Sequence, residues 1–203
     1  MWKLILCTIT LLIFNSCSSK KRPILGESAY QIALNSIYKD GSISPLKKKD
    51  LKNFNGLSFF PIDSSFIVKA KFTKIKNALS FTMPTNTDRK PLYREYGIIN
   101  FPLKGKNHEL TIYQSQEDVR NENRKNYLFL PFTDITSGNE SYGGGRFMDL
   151  MISDITKNHT IEVNFNHTYN PYCAYNEKYS CPLTPKKNHL EIKIKAGVKA
   201  FKK

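Results

Sequence analysis

From Leu57 onward the chain is patterned with a period of two, and that pattern restricts it to sheet. Val68, Ala70 and Phe72 alternate with Lys69 and Lys71, and Ile99, Phe101 and Leu103 alternate with Asn100 and Pro102. Leu110 with Ile112, Leu128 with Leu130 and Phe132, and Ile161 with Val163 and Phe165 repeat the arrangement. Leu190, Ile192, Ile194 and Ala196 do so again, set against Glu191, Lys193 and Lys195. Successive side chains of a strand point to opposite faces, so each run reads as a strand with one buried face. Gly, Asn and Pro separate the runs. The expectation is a mainly β chain, folded as an antiparallel sandwich or barrel.

Helical spacing occurs only near the start. Tyr30, Ala33, Leu34, Ile37 and Tyr38 recur at three and four residues, which predicts one N-terminal α-helix packed against the sheet. Ser28 and Gln31 have the spacing of a capping box, and Gly41 is placed to stop the helix. Ser44-Pro45 opens a second, shorter turn that runs to about residue 54. The 13 Phe and 11 Tyr residues favour sheet over helix elsewhere. With no internal repeat and no composition shift, residues 28–203 are expected to form a single β-rich domain.

The first residues read as an address. Lys3 is followed by an almost wholly apolar run, Leu4 to Phe14, and then by Asn15-Ser16-Cys17. The run is too short for a permanent membrane helix and suits a cleavable signal. The layout resembles a bacterial lipoprotein export signal over residues 1–16. That resemblance implies cleavage before Cys17, acylation of its thiol and amino terminus, and a lipidated tether over residues 17–27. The partner would then be a lipid bilayer, and the protein would face the periplasm or exterior from the cell envelope. The alternative is an ordinary secretory signal with a chance cysteine. Lys20, Lys21 and Arg22 would add attraction to anionic headgroups.

The formal net charge is +14, one less once Lys3 leaves with the signal. Such a balance raises the question of nucleic acid. The lysines are dispersed in sequence and accompany no nucleic-acid motif, so no nucleic-acid partner is expected. Of four cysteines, Cys7 lies in the signal and Cys17 is the lipidation site, which leaves Cys173 and Cys181. In an oxidising compartment these two are expected to form a disulfide. A free thiol pair is the second reading, and a metal site with His167 and His189 the third. The spacing lacks the short paired ligands of common zinc modules, so no metal and no cofactor are expected.

Two segments are more distinctive than generic strands. One runs from Leu128 through Thr133-Asp134-Ile135-Thr136 and Tyr142-Gly143-Gly144-Gly145-Arg146 to Asp149. The other contains Asn164-Phe165-Asn166, Tyr169-Asn170-Pro171-Tyr172-Cys173-Ala174-Tyr175 and Cys181-Pro182-Leu183, then Asn188 to Gly197. With Ser44-Pro45-Leu46 and Gly56-Leu57-Ser58-Phe59-Phe60, they resemble the uncharacterised family catalogued as domain of unknown function 1684. The resemblance spans residues 29–201 and implies a fold rather than a reaction. The chain departs from that pattern at Asn164, where the family usually has Asp, and at Val198, where an acid commonly follows the glycine.

These segments supply the candidate site residues. Gly144, Gly145 and Arg146, with Tyr142, could hold an anion through exposed backbone N–H groups and a guanidinium fork. The bland reading is a tight connection, with Arg146 paired to Asp134 or Asp149. Asn166, Asn170 and Tyr175 would complete a pocket for a small polar or anionic ligand where the two segments meet. The tyrosines from Tyr169 to Tyr179 would either stack on a flat ligand or close the end of the core. A hydrolase-like enzyme using Asp134 or Glu140 with Arg146 is the competing reading. It requires two carboxylates in one open cleft. Asp134 to Gly138 reads equally well as a side-chain-capped turn. No Gly-x-Ser-x-Gly elbow is present. The leading expectation is a binding or structural module.

Overall fold

The computed structural model describes residues 26–201. The expected signal, Cys17 and most of the tether lie outside the described residues. The chain is mainly β. Its strands are β1 (Ile67–Lys74), β2 (Ser80–Thr82), β3 (Leu92–Leu103), β4 (Lys106–Ser115), β5 (Tyr127–Asp134), β6 (Arg146–Met151), β7 (Thr160–Asn164) and β8 (His189–Leu190). Six of them form one antiparallel curled sheet in the order β6-β5-β4-β3-β1-β7. β2 adds to β3, and β8 runs parallel to β5 through Thr133↔His189 and Asp134↔Leu190.

The alternation seen in sequence survives cleanly in β1 and β7, whereas β4 is buried on both faces from Leu110 to Ser115. Ala70, Ile99, Ile112, Leu130, Phe132, Ile161 and Val163 have no exposed surface and share one core. Each of these side chains except that of Ala70 contributes ~1.5–3 kcal/mol of burial. The sheet is a half-barrel, and neither the expected sandwich nor a closed barrel forms, because β6 and β7 do not pair with each other. The C-terminal segment joins the core instead, through Leu190, Ile194 and Ala196.

Helices are few: α1 (Ala29–Lys39), α2 (Lys48–Lys52) and α3 (Gln116–Val119). Among the described residues none is long and apolar enough to cross a membrane. α1 packs not on the strand core but on a smaller cluster of Tyr38, Leu46, Phe54, Leu57, Tyr175 and Val198. Its buried positions are Gln31, Asn35 and Tyr38, a stripe rotated from the expected apolar one. The polar members are used for backbone satisfaction. Asn35 Oδ1 accepts from the Leu57 N–H at 2.8 Å, and Gln31 Oε1 accepts from the Glu27 N–H at 2.8 Å. Only half of the capping box forms, since the Ser28 hydroxyl accepts from the Gln31 N–H. The displaced apolar stripe of Tyr30, Leu34 and Ile37 is left half-buried or exposed, with a consequence for the site.

Candidate functional site

The residues expected to form an anion pocket do not line one. Arg146 begins β6 and points inward, with no exposed surface. Its Nη2 donates to Asp134 Oδ1 at 3.1 Å and to the Ile194 carbonyl at 2.8 Å, and its Nη1 donates to the Ala196 carbonyl. Asp134 is equally sealed. It accepts from the Thr136 N–H (3.2 Å), the Thr136 hydroxyl (2.9 Å) and the Ile194 N–H (2.8 Å). The pair therefore replaces a sheet ladder. It takes up backbone groups of the extended segment after β8 that no strand satisfies. A guanidinium so enclosed has no face left for a ligand, so Arg146 is not the expected anion clamp.

Its neighbours are structural for similar reasons. Gly145 has φ of 92°, and a Cβ there would lie 2.5 Å from the Phe132 carbonyl, so it is a required turn residue. Gly144 is exposed, and its carbonyl accepts from the Thr184 hydroxyl at 2.9 Å. Asn166 exchanges hydrogen bonds with the backbone of Asp63 at 3.1 and 3.0 Å. Asn170 donates to the Lys199 carbonyl at 2.9 Å, and Tyr175 packs edge-on against Tyr38 with centroids 4.8 Å apart. Asn170 and Tyr175 have no exposed surface.

The enzyme reading loses its geometry too. Glu140 lies at the surface, 3.1 Å from Lys195 Nζ, while Asp134 is enclosed, so no open cleft contains both carboxylates. Cys173 and Cys181 are free thiols, not the expected disulfide. The Cys173 N–H donates to Cys181 Sγ at 3.2 Å, and the Tyr142 hydroxyl lies 3.9 Å from Cys173 Sγ. The Cys181 thiol's hydrogen bond lowers the Cys173 pKa to about 7, while the same contact and burial raise that of Cys181. His167 stacks on Tyr30 at 4.5 Å and His189 Nδ1 meets the Thr133 hydroxyl at 2.9 Å, so both imidazoles are otherwise engaged.

The two distinctive segments nevertheless meet at a cleft, on the other face of β6. Strand alternation sends Arg146, Met148 and Leu150 into the core and Phe147 and Asp149 to the opposite side. There they line a cleft of about 500 Å³ together with Tyr169, Pro171, Tyr172 and the Tyr179–Pro182 stretch. α1 forms the facing wall with Tyr30, Leu34 and Ile37, the apolar stripe that the smaller core left free. Arg124 contributes a guanidinium, held by Asp118 Oδ1 at 2.6 Å and lying 4.6 Å from the Tyr127 ring centroid.

Asp149 is the polar centre of this cleft. It is exposed to solvent at the cleft. Oδ1 accepts from the Tyr169 hydroxyl at 2.7 Å. Desolvation raises its carboxyl pKa above the ordinary value, against the opposing Tyr169 hydrogen bond and the Arg124 charge. Burial, with the Asp149 charge second, raises the phenols of Tyr30 and Tyr169. These hydroxyls are consequently neutral donors across the physiological range. From the sequence, Asp149 stands out as an Arg146 partner or a general acid or base beside it, and the helix stripe reads as core. The three-residue step from Arg146 to Asp149 within a strand was the available signal that they face apart.

The family model described as "Protein of unknown function (DUF1684)" matches residues 52–199. Among solved structures, the chain is similar to an uncharacterized protein from gene locus rrnAC0354 of Haloarcula marismortui, determined by solution NMR. The two share 33% identity over 80% of this chain and 86% of that one, with a TM-score of 0.63. No functionally curated protein matches. By both sequence and fold, the chain belongs to the DUF1684 family of proteins of unknown function.

Proposed function

We propose that this protein is a binding module whose Asp149 cleft takes a neutral polyhydroxylated ligand of the carbohydrate class. The observation that carries the reading is a solvent-open carboxylate, hydrogen-bonded by the Tyr169 hydroxyl at 2.7 Å, set among aromatic side chains in a cleft. Asp149 accepts hydroxyl hydrogen bonds and repels anions. Exposed Tyr172, with half-buried Tyr169 and Tyr179, offers flat apolar faces for the C–H side of a sugar ring. Arg124 and the neutral phenols supply donors. Asp149 is the one carboxylate among the described residues lining this cleft, which favours binding over hydrolysis by an acid pair. The setting we propose is the bacterial envelope, with the chain held at a membrane surface through acylated Cys17.

Titration of purified protein with a panel of neutral envelope oligosaccharides, followed by saturation-transfer NMR and calorimetry, tests the cleft. Asp149→Asn and Tyr169→Phe should each weaken binding. Losing a hydrogen bond to a charged acceptor removes about 1.5–3 kcal/mol, or roughly 10- to 100-fold in affinity. Absence of saturable binding across the panel, or unchanged affinity in Asp149→Asn, would reject the assignment. The intact mass of chain recovered from its native host tests the anchor separately.

A further inference from the structure

A second cleft, of about 510 Å³, lies where the C-terminal segment passes the β3–β4 hairpin. Lys193 and Lys195 occupy the outward positions of the extended stretch whose inward Ile194 and Ala196 are core. Lys199 follows, and Lys104 reaches in from the hairpin tip. Residues dispersed along the chain therefore present four ammonium groups to one concavity. Phe60 and Phe66 also line it. Lys199 Nζ lies 5.1 Å from the Phe60 centroid and Lys104 Nζ 4.9 Å from the Phe66 centroid, which restrains both ammonium groups before any ligand arrives.

Protein acids do not neutralise this cluster. Its two carboxylates are Asp63, which caps the Ser65 N–H at 2.7 Å, and Glu140, which pairs with Lys195. Lys104 donates to the neutral Ser65 hydroxyl at 3.0 Å, and Lys193 and Lys199 have no ion pair among the described residues. Four lysines against two acids leave an excess of two positive charges. Converging like charges oppose one another, and a bound anion relieves that opposition.

We propose that this cleft binds a phosphate group carried by an organic ligand. A phosphate monoester bears about −1.5 to −2 charges near pH 7, which matches the excess, whereas a carboxylate would offset half of it. Lysine acts on phosphate as a mobile point charge and needs no bidentate fork. This site is separate from the Asp149 cleft, with which it shares no lining residue. The phosphate could come from a soluble ester or from a lipid headgroup, and the chemistry of recognition is common to both.

Two probes test the proposal on the purified protein: inorganic phosphate followed by amide NMR, and sedimentation with phosphatidylcholine vesicles with or without phosphatidic acid. At least one probe should bind saturably, perturbing the amides of Lys104, Lys193, Lys195 and Lys199. Lys193→Gln/Lys195→Gln/Lys199→Gln should weaken that binding at least tenfold without lowering the melting temperature. Asp149→Asn should leave it unchanged, so failure here is distinguishable from failure of the carbohydrate reading. Phosphate binding without vesicle binding identifies a soluble ester. Binding to the phosphatidic acid vesicles, lost in the triple variant, identifies a headgroup. The proposal is overturned if neither probe engages these amides, if exposed Lys48, Lys69 and Lys71 respond equally, or if the triple variant binds like the parent.

Discussion

Replacing Arg146 with Met tests whether the buried ion pair fastens the C-terminal segment. Met approximates the aliphatic length of Arg and leaves little cavity, so the loss falls on polar contacts. The Ile194 and Ala196 carbonyls lose their guanidinium donor, and Asp134 loses its counter-charge while keeping its local donors. Both side chains are without exposed surface, so solvent does not screen the pair. Removing one partner of a buried pair costs about 3–5 kcal/mol. Two orphaned carbonyls at about 1–3 kcal/mol each give a range that includes the same figure. Urea unfolding followed by far-UV circular dichroism should show that loss. For a domain of this size it lowers the melting temperature by roughly 2–4 °C per kcal/mol. Adding Asp134→Asn should recover about 1 kcal/mol or more by removing the uncompensated charge. Arg146→Lys should not rescue, since a single ammonium cannot span three acceptors in fixed directions. A loss below about 1 kcal/mol in Arg146→Met would refute the role assigned to the pair.

The glycine run supplies an internal contrast. Gly145→Ala places a Cβ 2.5 Å from a backbone carbonyl at φ of 92° and should destabilise by about 1–3 kcal/mol or more. Gly143→Ala meets nothing closer than 3.5 Å and should stay within about 0.5 kcal/mol in the same urea assay. At the thiol pair, the Cys173 pKa of about 7 predicts iodoacetamide alkylation of Cys173 with a midpoint near pH 7, and much slower modification of buried Cys181. The native pKa lies below the unfolded value. Stability from this thiolate should therefore increase as pH rises from about 7 towards 9, and be lost as pH falls through 7. A midpoint near 8.5, or equal labelling of both thiols, would contradict the hydrogen-bonded arrangement.

The strands were legible because apolar residues recur at every second position on the side that faces the dry core. Val68-Lys69-Ala70-Lys71-Phe72 states its own geometry, and the folded chain follows it. The same rule misled at residues 190–196. That segment has strand alternation, yet beyond Leu190 its inner backbone is held by Asp134 and Arg146 rather than by a neighbouring strand. Periodicity reports which side is buried, not which group satisfies the peptide.

Helix α1 shows the complementary limit. Its apolar spacing identified a helix, but Gln31 and Asn35 took the inward positions because Glu27 and Leu57 N–H groups needed acceptors there. The Leu57 demand comes from chain distant in sequence and nearby in space, so no local pattern records it. It also freed Tyr30, Leu34 and Ile37 to wall the Asp149 cleft.

Sequence alone determined the period-two core, the segments that meet at the cleft and the abundance of positive charge. Each follows from local side-chain direction or from composition. Only tertiary structure decided that Arg146 is sealed while Asp149 is open, and that Lys104 stands beside Lys193, Lys195 and Lys199. Those outcomes depend on which distant backbone groups require partners and on where the C-terminal segment runs past the β3–β4 hairpin.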